Sequence, residues 1–109
     1  MDIEPVSLAS ERTAQSAAAS RERRILTRLA SVLRALRESE PQSKPDLASW
    51  QQRSQRAAAL LTLAGGAAPH WLWHYLADAD IRLKDADYAA IQRERLMDWL
   101  RSVEGHAAA

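Results

Sequence analysis

His70 and His74 stand four positions apart, one helical turn, and two imidazoles at that spacing can share a metal ion. The zinc-protease pattern needs a glutamate base directly after the first histidine. Here the segment reads His70-Trp71-Leu72-Trp73-His74, with tryptophan at that place. Asp78 continues the same face, but eight residues along a straight helix is about 12 Å, too far for all three side chains to reach one ion. The pair is therefore a weak metal candidate, and the expectation is two partly exposed histidines with no metal and no cofactor. Asp78, Asp80, Asp85 and Asp87 spell Asp-Ala-Asp twice and invite a calcium reading. Counting from Asp78, however, a calcium-binding loop would need its ligands and glycine where Arg82, Leu83 and Ala89 fall. Helix termination and capping is the expected role of these aspartates, with Arg82 and Lys84 as charge partners.

Arg21, Arg24 and Arg28 recur at spacings of three and four and form a stripe on one side of a helix, with Arg23 nearby. Such a stripe can contact phosphates, which supply most non-specific affinity for nucleic acid. It is short and has no interleaved aromatic residues for stacking on single strands, so a solvated helix face is the plainer expectation. A helix-turn-helix around Gly65-Gly66 would present Trp71, Leu72, Trp73 and Tyr75 to the bases instead of residues that read base edges. Those same four residues form the most conspicuous apolar cluster of the chain. At 100° per residue Trp71 and Tyr75 share a direction and Trp73 points about 200° away, so the rings cannot share one environment. Either a short central helix is wrapped by the others, or an aromatic patch faces outward to dock another protein. No nucleophile elbow, phosphate-cradling glycine loop or dinucleotide fingerprint occurs, so the sequence favours a non-enzyme.

The elements that would position these residues are helical. Glycine numbers three, phenylalanine is absent and β-branched residues are sparse, which leaves little material for strands. Leu26, Leu29, Leu33 and Leu36, with Ile25, Ala30 and Val32, make a broad stripe on a first helix running from near Ser10 to Glu38. Pro41 and Pro45 close it. A second helix runs from Pro45 or Asp46 to Ala64 and ends at Gly65-Gly66. Pro69 opens a third, shorter helix. After an expected break between Asp80 and Lys84, capped by Asp85 or Asp87, a last helix places Ala89, Leu96, Trp99, Leu100 and Val103 inward and stops at Gly105. The expected fold is an all-α antiparallel bundle of about four helices with a long first helix, one domain over 10–105 between mobile segments 1–9 and 106–109.

At 109 residues the chain has room for one core, and the absence of cysteine excludes disulfides and thiolate chemistry. The net charge of +1 is too small to imply a polyanionic partner, yet it is unevenly spread. Residues 11–37 carry seven arginines against two glutamates, and residues 78–109 carry seven acidic against five basic groups. Arginine outnumbers lysine thirteen to two, a bias that GC-rich codons produce without any phosphate to bind. No apolar run reaches the roughly 18 residues of a membrane span, and the acidic N-terminus is unlike a signal peptide, so a cytoplasmic protein with no membrane partner is expected. At about 1.5 Å per residue the first helix would be some 43 Å long and overhang its neighbours. A second copy would cover the overhang, which points to a homodimer using Leu26, Leu29, Leu33 and Leu36. The function expected is a small helical protein–protein interaction module, an adaptor, regulator or accessory factor, docking an unidentified protein through Trp71, Leu72, Trp73 and Tyr75. The alternative is a nucleic-acid-binding regulator using the Arg21, Arg24 and Arg28 face.

Overall fold

The computed structural model describes the backbone of residues 3–108 and the side chains of residues 14–105. The chain is all-α, with three long and two short helices: α1 Ile3–Glu38, α2 Leu47–Ala64, α3 Trp71–Ala77, α4 Ala79–Lys84 and α5 Ala86–Ala108. Two 3-10 turns, Lys44–Asp46 and Gly65–Ala67, lead into and out of α2. α1 packs against both α2 and α5, while α3 and α4 touch each other and fill the space between α2 and α5.

Three sequence expectations need adjusting. α1 starts at Ile3 rather than near Ser10, because Val6-Ser7-Leu8-Ala9 holds no residue that stops a helix, and Pro5 suits a first turn. The region from Asp80 to Lys84 is itself helical, and the interruptions fall at Asp78 and Asp85 on either side of it. A further helix of six residues thus stands where the break was expected, after a third helix of seven, and both are too short to run the length of their neighbours. Gly105 does not end α5, which continues to Ala108, so residues 106–108 extend the helix; Ala109 lies outside the described residues.

Local chemistry explains the boundaries. Pro41 disfavours helix in the residue before it, so Glu40 leaves α1. The carbonyl of Leu36, in the last turn, accepts a hydrogen bond from Trp50 Nε1 at 3.0 Å. That carbonyl also accepts the Ser39 N–H at 3.2 Å, so the buried indole of α2 is its second donor. α2 ends at Gly65, whose φ of 54° lies in the region that favours glycine, and whose N–H donates to the Leu61 carbonyl. Asp85 caps α5 by accepting the Tyr88 N–H on its side chain at 3.0 Å.

The core joins Leu29, Leu33 and Leu36 of α1 to Trp50, Ala57 and Leu61 of α2, Leu72, Tyr75 and Leu76 of α3, and Leu96 and Leu100 of α5. α1 and α5 run antiparallel, since Arg34 bonds Glu104 while Glu40, just past α1, bonds Arg93. α1 outruns this body. Its 36 residues make about 54 Å at 1.5 Å each, and the molecule measures 69 × 24 × 19 Å. From Ala14 to Arg24 every side chain is exposed except the half-buried Ser20, so this stretch is an arm without cover from the rest of the chain. Among the described residues no helix is long and apolar enough to cross a membrane.

Candidate functional site

The residues singled out in the sequence separate into core and surface. Leu72 and Tyr75 are fully buried, so these two members of the expected docking patch belong to the core of the single chain. Trp73 faces outward with 36% of its surface exposed, and Trp71 is half-buried under the guanidinium of Arg95, 4.9 Å from the ring centre. The outward aromatic surface of α3 is thus Trp73 with the edge of Trp71. The leucines assigned to self-association are likewise taken: Leu29, Leu33 and Leu36 are at most 4% exposed, covered within one chain, and only Leu26 keeps part of its surface. The apolar stripe read as a dimer face is the stripe that builds the monomer.

Arg21, Arg23 and Arg24 are exposed on the free arm of α1 and Arg28 is exposed just beyond it, and among the described residues none forms an ion pair. His70 and His74 are both exposed and meet edge to face with ring centres 5.9 Å apart. Among the described residues no cluster of three or more His, Asp or Glu side chains is placed to hold a metal ion.

The densest polar chemistry lies around Glu40, which no motif marks. Glu40 has its side chain only 7% exposed and accepts from Tyr75 Oη at 3.0 Å, Arg82 Nε at 2.9 Å and Arg93 Nη2 at 3.1 Å. Arg82, with a side chain 2% exposed, is the centre of this network. Its Nη1 donates to the Tyr75 carbonyl at 2.6 Å and to Gln92 Oε1 at 2.7 Å. Its guanidinium lies over the Tyr75 ring at 4.2 Å and the Trp50 ring at 5.4 Å, and those rings meet edge to face at 5.9 Å. The cation is therefore held by aromatic faces, a carboxylate and a carbonyl near the C-terminal end of α3, each favourable to positive charge. Gln92 also donates to the Asp78 carboxylate, which accepts from Tyr88 Oη too. Asp78 is thus tied to α5, and Arg82 pairs with Glu40 instead of with the aspartates beside it in sequence.

Burial alone would push the Glu40 carboxyl up. The Arg93 hydrogen bond, the Arg82 charge and the Tyr75 hydrogen bond outweigh it and hold the group below the usual carboxylate range. Burial and then the Glu40 charge push the Tyr75 phenol far up, so it stays a hydrogen-bond donor at every ordinary pH. Arg37, Glu38, Pro41, Gln42, Leu83 and Arg93 surround a cleft of about 340 Å³ over this network, and Arg82 forms part of its wall. Glu40 escaped the sequence reading because a lone acidic residue in a proline-bounded connection looks like any solvated charge. Arg82 is expected from sequence to pair with the aspartates beside it, because nothing local marks a more distant partner.

Against known proteins the chain matches no family model, no curated protein and no solved structure.

Proposed function

We propose that the protein is a helical interaction module that self-associates through the free arm of α1. The observation supporting this reading is the exposure of every residue from 14 to 24 except the half-buried Ser20, on a helix that runs past the body carrying it. Most helical stability in proteins comes from packing a face rather than from propensity, so an uncovered arm gains by finding a second helix. Ala14, Ala17 and Ala18 share one side of it at spacings of three and four, and small side chains let two backbones approach closely. A second copy brings the same stripe and forms a closed, two-fold contact. This surface replaces the buried leucines as the dimer face, while exposed Trp73, with the edge of Trp71, remains the anchor for a different protein.

Sedimentation equilibrium of the full chain and of the double variant Ala14→Glu, Ala18→Glu tests the reading. Both positions are exposed in the single chain, so the variant keeps its fold; the wild type is expected to dimerise at micromolar concentration and the variant to stay monomeric. A wild type that remains monomeric, or a variant that dimerises equally well, overturns it.

The exposure of Arg21, Arg23, Arg24 and Arg28 favours a second reading, in which the same arm lies on nucleic-acid phosphates. Binding to a duplex would then weaken steeply with salt, whereas contact between alanine stripes would change little.

A further inference from the structure

Three guanidinium groups converge on one carboxylate, and their donors outnumber the acceptors supplied to them. Glu40 receives Tyr75 Oη, Arg82 Nε and both Nε and Nη2 of Arg93. Arg82 Nη2 is buried with no hydrogen-bond partner, and so is Arg37 Nε. Arg37 Nη1 stands 3.6 Å from Glu40 Oε2, close enough to attract but too far for a good hydrogen bond. Unsatisfied buried donors are rare, because a charged group that has lost water without gaining a partner is penalised in full. Both orphan nitrogens belong to side chains that line the same cleft of about 340 Å³, where Arg93 forms a third cationic wall. Arg37, Arg82 and Arg93 set against Glu38 and Glu40 leave that wall with one positive charge in excess.

We propose that this cleft binds a small oxyanion of the phosphate class, free phosphate or a phosphate monoester, held by Arg37, Arg82 and Arg93. Guanidinium groups match phosphate oxygens geometrically, and a turn of the partly exposed Arg37 side chain brings its unpartnered Nε to the cleft, where an oxyanion supplies the acceptor it lacks, while the locked Arg82 contributes its charge from below. Glu40 is not a competing repulsive charge of full strength, since its two oxygens already accept from two guanidiniums and a phenol. It positions Arg82 and Arg93 and leaves their remaining donors free. A cleft of this size is larger than inorganic phosphate needs and has room for a small group esterified to it.

The probe is sodium phosphate, titrated into the full-length protein at constant ionic strength against sodium chloride and followed by the side-chain Nε–H signals of arginine. The Arg37 Nε–H signal is expected to shift and saturate with phosphate and to be insensitive to chloride. Arg37 is partly exposed, so Arg37→Gln is expected to keep its circular dichroism and to bind phosphate roughly tenfold more weakly, the loss of one charge-assisted hydrogen bond. Arg93→Gln, at another partly exposed position, gives the same comparison if Arg37→Gln fails to fold. Unsaturable shifts matched by chloride, unchanged affinity in the folded variant, or binding confined to phosphatidate vesicles with none to free phosphate would each overturn the proposal.

Discussion

Glu40 and Arg82 form a pair whose energetics can be separated by substitution. Removing one member strands the other: Glu40→Leu leaves the 2%-exposed Arg82 guanidinium without its carboxylate, and a broken buried pair of this kind typically costs about 3–5 kcal/mol. Glu40→Leu combined with Arg82→Met replaces the pair by apolar groups and is expected to lose less stability in urea denaturation than the two single losses added together. Strict additivity would mean that the two side chains act independently. Tyr75→Phe removes only the phenolic donor to Glu40 and is expected to cost about 1.5–3 kcal/mol, as for hydrogen bonds to charged groups. The sign with pH follows from the depressed Glu40 carboxyl. Because the folded group is harder to protonate than the unfolded one, its contribution is complete above the unfolded value of about 4.3 and is lost as pH falls through the lower folded value. Unfolding free energy measured from pH 6 to pH 3 is expected to fall less steeply in Glu40→Gln than in wild type. Equal slopes would place the acid sensitivity elsewhere.

Helices were more legible in the sequence than their ends. The leucine spacing of α1, the Gly65 stop of α2 and the dense apolar content of α3 are local signals, and each appears in the fold where its chemistry places it. Two substitutions test the boundaries. Gly65→Ala meets no neighbouring atom but forces a side chain onto φ 54° and ψ −130°, a sparsely populated backbone region, at a cost of about 1–3 kcal/mol. Asp85→Ala removes the side-chain acceptor for the Tyr88 N–H, at about 1 kcal/mol. Both losses are read from thermal unfolding, and an unchanged melting temperature in either would remove the corresponding boundary device. Asp78 and Asp85, expected as helix-end residues, do fall at helix ends, but the tertiary bonds of the Asp78 carboxylate were not legible: it is held by Tyr88 and Gln92 of α5, residues ten and fourteen positions away. The Glu40 network was hidden for the same reason, its partners coming from 35 to 53 positions along the chain. Sequence periodicity shows which face turns inward. It does not show which charged residue turns inward with it.

On the scale of the whole molecule, a body of five helices carries one long helical arm. The exposed large apolar residues Leu63, Trp73, Ile81 and Ile91 are spread over four helices, and scattered apolar residues are ordinary on a protein surface. The arm differs in being exposed along its length, with Ser20 alone half-buried. The leucine stripe was read as a face for a second copy because length alone demanded cover, but that stripe is consumed where α2 and α5 pack on α1. The need for cover has moved along the helix to Ala14–Arg24. Amide hydrogen exchange as a function of protein concentration tests this most directly, since it reads the arm and the body in one experiment. Protection at residues 14–24 is expected to rise with concentration, while that at residues 29–36 stays high throughout. Protection of the arm that does not change across the same range of dilution would contradict self-association through α1.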